Sequence, residues 1–240
     1  GTMNFGWAQA SSVCDAPVAC EMLKRFATYG GDRLDTARIY AGGEGEDHVR
    51  EAIERSGISD WRLGSKAAPS AEQGLSPEGI HGQFDSTRNA LQMDGALDEY
   101  FLHQPDPHHS LEETLQTMDV LVGMDVVREV GLSNFHVDEV KRAFDICDEY
   151  GLAYPSVYQG LYNPLNRLVE DELLPFLRER NCRFVAYNGL AAGLLTGKHR
   201  QGEAVLTGRF KDNDNYLPRF YTSDNFEAVE RIRKACDDAQ

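Results

Sequence analysis

Two periods alternate along the chain. Short β-type runs fall at residues 33–37, 61–66, 98–103, 127–133, 156–159 and 183–187. Between them lie stretches whose apolar residues recur every three or four positions, the spacing of a helix with one buried face. Met22, Leu23 and Phe26 follow Asp15, a candidate N-cap, and Gly30-Gly31 ends that helix. Val49, Ala52 and Ile53 give the next helix a face, stopped at Gly57. Ser76-Pro77 reads as cap and first helical residue ahead of Ile80, Phe84 and Leu91. Ser110 and Glu113 have capping-box spacing before Leu115, Met118 and Leu121. Val140, Phe144 and Cys147 form a further face, stopped by Gly151, and Leu173, Leu174 and Leu177 form another.

Six strand–helix alternations predict an α/β fold with a parallel sheet. Their order leaves a closed barrel and an open doubly wound sheet both open. No Gly-x-Gly-x-x-Gly follows the first strand, which weighs against a dinucleotide-binding open sheet. In a barrel, chemistry sits at the carboxyl ends of the strands. Polar residues gather at those ends: Asp35, Lys66, His103, Asn134, Gln159 and Asn188. From 198 to 225 the alternation stops. That stretch holds Gly202, Gly208, Pro218 and the aromatics Phe210, Tyr216, Phe220 and Tyr221, and it reads either as a long binding loop or as a surface excursion packing its rings on the domain. A last helix is expected over 224–235, with Phe226, Val229 and Ile232 on one face.

Composition narrows the partners. The chain has 240 residues, 41% hydrophobic and 26% charged, in the range of one large globular domain. Its formal charge of -15 disfavours nucleic acid and anionic membranes, whose phosphates need basic patches. No apolar run is long enough to span a bilayer. Five scattered cysteines, none at Cys-x-x-Cys spacing, predict reduced thiols in the cytoplasm and no metal site.

Four ionisable residues stand out. Asp35 and Tyr40 lie in Asp35-Thr36-Ala37-Arg38-Ile39-Tyr40, Lys66 closes Gly64-Ser65-Lys66, and His103 closes Tyr100-Phe101-Leu102-His103. Converging in one pocket, they suit carbonyl chemistry. An ammonium near a phenol favours phenolate and lowers its pKa, an aspartate keeps that ammonium charged, and a histidine orients a carbonyl oxygen.

These segments resemble those of the aldo-keto reductases. Further matches follow in order: Gly131-Leu132-Ser133-Asn134, Val157-Tyr158-Gln159, Tyr187, and the run from Asn188 through Leu194-Leu195-Thr196-Gly197-Lys198. The resemblance implies a (β/α)8 TIM barrel forming one domain over 1–240, with 198–225 as a long substrate and cofactor loop. The implied activity is reduction of an aldehyde or ketone with NADPH, giving an alcohol and NADP+. Asp35, Tyr40, Lys66 and His103 are then catalytic, with Tyr40 as proton donor. Cofactor contacts fall on Thr2, Met3, Asp35, Ser133, Asn134, Gln159, Tyr187, Asn188, Leu190, Gly193, Leu195, Gly197, Lys198 and Arg209. Substrate contacts fall on Met3, Tyr40, His103, Tyr216 and Arg219. Tyr-Gln-Gly-x-Tyr-Asn, Leu-Leu-Thr-Gly-Lys and Gly208-Arg209-Phe210 are similar to the aflatoxin-aldehyde and succinic-semialdehyde reductases, detoxifying enzymes in which a loop arginine meets an acidic substrate. Relatives in that group are often dimers, which leaves a homodimer open.

One departure is expected to matter. Gly1-Thr2-Met3 resembles the end of a first strand, and the final strand–helix unit of the family, with its grip on the 2′-phosphate, has no counterpart in these 240 residues. Two other roles stand beside the reductase: an NADP(H)-binding subunit like those of potassium channels, and a truncated, non-catalytic homologue.

Overall fold

The computed structural model describes all residues except 9, 11, 204, 206, 207, 215 and 240. Six parallel strands run in sequence order: β1 (Arg33–Asp35), β2 (Arg62–Ala67), β3 (Leu97–Leu102), β4 (Val127–Ser133), β5 (Val157–Leu161) and β6 (Arg183–Tyr187). Each pairs only with its sequence neighbours, as in a barrel and unlike a doubly wound sheet. Helices α1 (Ala16–Thr28), α2 (Gly45–Ser56), α3 (Pro77–Leu91), α4 (Leu111–Gly123), α5 (Val137–Tyr150) and α6 (Leu173–Glu179) precede or connect the strands. Beyond β6 come α7 (Leu217–Phe220) and α8 (Ser223–Asp238). Among the described residues no helix is long and apolar enough to cross a membrane.

The sheet is curled. Gln159 of β5 donates to Asp35 of β1 at 2.9 Å, although four strand spacings separate them. In a flat sheet that separation is about 19 Å, beyond the reach of the two side chains. At the opposite end, Glu99 of β3 accepts from Arg33 of β1 and from Arg183 of β6, the latter at 2.6 Å; Arg183 also reaches Glu129 of β4 at 2.8 Å. The inner face is thus tied across at both ends. Among the described residues the sheet has six strands, a six-strand curl rather than the eight units of the expected barrel. Residues 1–3 form no strand, but the Thr2 N–H and hydroxyl both donate to the Asp35 carbonyl at 2.9 Å.

Most predicted helix ends are found. Asp15 accepts from the Val18 N–H, Ser76 accepts from the Gly79 N–H, and Gly57 and Gly151 take the left-handed conformation that closes α2 and α5. Two expectations are corrected. Ser110 makes no side-chain cap, and the capping box is instead at α5, where Glu139 accepts from the His136 N–H at 2.7 Å and the His136 ring accepts at the helix start. Met22 and Phe26 are about half exposed, because α1 buries Ala16, Ala19, Cys20 and Leu23. From the 198–225 stretch Phe210 and Phe220 are buried, and with Phe226 they form a second apolar cluster with Ala191, Ala192 and Leu194.

Packing inside the curl is tight where β3 meets β4. Gly131 lies opposite the fully buried Phe101, and a Cβ at Gly131 would come within 2.2 Å of the ring. Gly131→Ala is expected to destabilise the fold by about 1–3 kcal/mol, the usual cost of overpacking. Gly82→Ala, with open space around the α3 position, should stabilise it by up to about 1 kcal/mol. Urea unfolding of both variants checks the contrast.

Candidate active site

Lys66 decides the geometry of the carboxyl end of the sheet. Its side chain is fully buried, so its ammonium must find partners inside the protein. It donates to Asp35 Oδ1 at 2.6 Å, to the Thr36 carbonyl at 2.8 Å and to the Tyr40 hydroxyl at 3.3 Å. Three donors meet three acceptors. All three come from the end of β1 and the turn after it, so β1–β2 pairing and the turn are fixed together. Tyr40 opens a short 3-10 turn, Tyr40–Gly43, in which Ala41, Gly42 and Gly43 all have positive φ. His103 stands just beyond β3, its N–H donating to the Ala67 carbonyl at 2.8 Å, and its ring meets Tyr40 edge-on with centroids 6.0 Å apart. The four residues predicted as a tetrad therefore lie side by side at the carboxyl end of the sheet.

The electrostatics follow from burial and this ion pair. For Asp35, burial opposes ionisation, but the Lys66 ammonium and hydrogen bonds from Lys66 and Gln159 outweigh it and hold the carboxyl below its ordinary value. Burial likewise opposes the Lys66 charge, and Asp35 and Tyr40 outweigh it, so Lys66 stays protonated above its ordinary range. Tyr40 differs from the expectation. Lys66 does pull its pKa down, but burial is the larger influence and Asp35 adds to it, so the phenol is held above its ordinary value and keeps its proton. His103 is pushed down to about 4 by burial and by Lys66, and is neutral at physiological pH; its Nδ1 has no hydrogen-bond partner among the described residues.

A second bonded group adjoins the first. Asn134, in the left-handed conformation after β4, donates to the His103 carbonyl at 2.9 Å and to Ser133 Oγ at 3.1 Å, and accepts from the Tyr187 hydroxyl at 2.8 Å. The Tyr187 ring is fixed at its hydroxyl end and remains 36% exposed. Asn188 shapes the following turn, its side chain accepting from the Ala192 N–H at 2.6 Å and its carbonyl from Asn163 at 3.0 Å. Leu190 and Lys198 are exposed; Gly193 and Gly197 have positive φ; Leu195 is partly buried against the second cluster. Thr2 is buried and Met3 half-buried beside Asp35. From the 198–225 segment, Tyr216 lies within electrostatic reach of Tyr40 and Tyr187, and Arg219 within reach of Tyr187.

Two predicted cofactor residues are engaged otherwise. Gln159 spends its amide N–H on Asp35. Arg209 donates to Asn4 at 2.9 Å, its guanidinium 5.3 Å from the Trp7 ring and 5.4 Å from that of Tyr216. Sequence reading missed Asn4 and Trp7 because their partner lies some 200 positions away, and missed the Thr36 carbonyl because backbone acceptors leave no trace in residue type.

Residues 1–240 match the aldo/keto reductase family. The chain belongs to this family. It is 35% identical to rat aflatoxin B1 aldehyde reductase member 2 over 243 residues, covering 98% of this chain and 65% of that protein. It is also 35% identical to human aldo-keto reductase family 7 member A3 over 229 residues, 92% of this chain and 69% of the relative. The chain thus spans about two thirds of the length of these relatives. Among solved structures, an aldo/keto reductase from Klebsiella pneumoniae in complex with NADP and acetate superposes with a TM-score of 0.67 at 26% identity, over 82% of this chain and 66% of that one. The glycerol dehydrogenase of Gluconobacter oxydans shares the fold, with a TM-score of 0.78 at 21% identity, over 99% of this chain and 72% of that one.

The His103 environment predicts an acid limit to stability. Its folded pKa lies near 4 and its ordinary value is 6.5. Between these, the unfolded chain takes up a proton that the folded chain refuses, so stability present above the ordinary value falls as pH drops toward 4. The loss is roughly 3 kcal/mol at most. Urea unfolding at about pH 7.5 and about pH 4.5 should show a larger drop for the wild type than for His103→Gln.

Proposed function

We propose that this aldo/keto reductase chain carries the catalytic centre for NADPH-dependent reduction of an aldehyde or ketone to an alcohol, with Tyr40 as proton donor. The observation that carries the reading is the fully buried Lys66 ammonium, held between Asp35 and the Tyr40 hydroxyl at the carboxyl end of a curled parallel sheet. A buried ion pair is costly to build and adds little stability, so its placement against a phenol and a neutral histidine favours chemistry.

The residues present fit a nicotinamide dinucleotide. Tyr187 offers the exposed part of a ring locked by Asn134, next to Tyr40, on which a flat aromatic group can stack. Gly189 and Gly197 leave the backbone beyond β6 open to close approach, and Lys198 beside them is an exposed cation for phosphate. Ser133, Asn134 and Gln159 would hold the carboxamide end, with Asn134 and Gln159 exchanging present partners to do so. When bound, the reduced cofactor supplies the hydride.

The chain's own residues supply the rest. His103, neutral and with hydrogen-bonding nitrogens, orients the carbonyl oxygen toward Tyr40. Tyr40, protonated because burial holds its pKa up, gives its proton to that oxygen as negative charge develops there. The Lys66 ammonium stabilises the phenolate left behind, and Asp35 keeps Lys66 charged and in place. Arg219, an exposed cation near Tyr187 at the mouth, favours carbonyl compounds bearing a carboxylate. The six-strand curl is read as part of a (β/α)8 barrel in which 1–240 belong to one domain. The five free cysteines, four of them buried, suit the reducing cytoplasm.

The test is direct. The full-length protein should quench its intrinsic fluorescence on NADPH addition and reduce 2-carboxybenzaldehyde with loss of NADPH absorbance. Tyr40→Phe should keep NADPH affinity and lose about 10²–10⁴-fold in kcat, the usual contribution of a general acid. Arg219→Ala should raise KM for 2-carboxybenzaldehyde more than for benzaldehyde. A folded protein that binds no NADPH would sink the reading.

A further inference from the structure

The turn that carries Tyr40 has little packed against its glycines. Three successive residues, Ala41, Gly42 and Gly43, hold positive φ, and nothing lies within 4 Å of where a Cβ would stand on either glycine. Yet the Tyr40 hydroxyl must stay at hydrogen-bond distance from Lys66. The fixing points are at the exit of the turn, where α2 begins. Gly45 packs directly on Tyr40: a Cβ there would stand 2.7 Å from Tyr40 Cβ and 3.0 Å from its carbonyl oxygen. The next residue, Glu46, is fully buried and accepts a 2.5 Å hydrogen bond from Ser65, the residue before Lys66 on β2. Arg38 closes the turn from its other side, 3.0 Å from Asp47 and 3.6 Å from Glu46.

A buried carboxyl demands a reason. Glu46 Oε2 is paired with the Arg38 guanidinium at 3.6 Å, Thr87 also interacts with the carboxyl, and the Tyr100 hydroxyl, buried without a hydrogen-bond partner among the described residues, lies within its electrostatic reach. Burying a carboxyl costs stability even where it is paired. Glu46 is also outside the pocket: Ser65 and Lys66 are adjacent on one strand, so their side chains point to opposite faces of the sheet. Its carboxyl therefore touches neither substrate nor cofactor.

We infer that Glu46 is a positioning residue: its bond to Ser65 behind the sheet, together with the Gly45 contact on Tyr40, sets the distance between the Tyr40 hydroxyl and the Lys66 ammonium in front of it. One end of the tie directly precedes Lys66, and the other lies a single turn beyond Tyr40. Gly45-Glu46 follow the Tyr40 turn, and Ser65 precedes Lys66. This rests on the proposed reductase reading for its consequence in catalysis, but the geometry itself can be tested without turnover.

The test uses full-length protein labelled with [13Cζ]tyrosine. The Tyr40 signal is the one missing from Tyr40→Phe. The charged and titratable groups facing it are Lys66, Asp35, His103, Tyr187 and Tyr216. In Glu46→Ala and in Ser65→Ala, Tyr40 drifts from the ammonium and its titration midpoint should rise by roughly one unit. Glu46→Gln keeps an acceptor oxygen for Ser65 and should leave the midpoint in place. In turnover, the two alanine variants should lose about 10- to 100-fold in kcat with NADPH affinity unchanged, and the double variant should be no worse than either alone. If Glu46→Ala fails to fold, Ser65→Ala still removes the tie. An unmoved Tyr40 midpoint in folded Ser65→Ala overturns the inference. A wild type that titrates as described but reduces no carbonyl refutes the reductase reading instead.

Discussion

A lysine ammonium with no access to water governs this molecule. Lys66 has three hydrogens to place, and it finds them a carboxylate, a backbone carbonyl and a phenol, all supplied by the end of β1 and the five residues after it. Any change in the β1–β2 register would leave a charge uncompensated in the interior, at a cost of several kcal/mol. The pairing Asp35↔Gly64, two residues short of Lys66, is the register that brings the three acceptors within reach. The same constraint sets the chemistry, because whatever holds Lys66 also sits beside it.

The second constraint is curvature. Both ends of the inner face are crossed by polar side chains from strands that are not neighbours: Asp35 with Gln159 at one end, Glu99 with Arg33 and Arg183 at the other. Two arginines on one buried carboxylate leave an excess of positive charge, which Glu129 balances. Curling is what lets four side chains from β1, β3, β4 and β6 meet. It also gathers the strand ends, so that His103, Asn134 and Tyr187 become one bonded chain adjoining the Lys66 group.

Several of these residues do two jobs. Asn134 locks the Tyr187 ring while bridging to the His103 backbone, and Gln159 steadies Asp35 from across the curl. Arg209 holds residues 198–225 onto Asn4 and Trp7 near the start of the chain. In the proposed reaction these contacts would give way as the cofactor arrives, exchanging internal hydrogen bonds for ligand ones. Phe210 and Phe220 stay buried in a cluster of their own beyond β6, which gives that segment an anchor independent of any ligand.

The sequence determined much of this by itself. The two hydrophobic periods mark all six strands and the helices between them, because side-chain direction repeats every two residues in a strand and every 3.6 in a helix. Residue types at strand ends marked Asp35, Lys66 and His103, and the fold places them close together. Tertiary structure alone decided what depends on distance through space. Sequence gave no hint that burial would outweigh Lys66 in setting the Tyr40 pKa, since desolvation is a property of the surroundings. The Met22 and Phe26 positions fit a helical period, yet the fold turns that stripe of α1 outward. Arg209, Gln159 and Glu46 acquire their partners from segments between 19 and 205 residues away, pairings that no local pattern encodes and that only a curled sheet brings together.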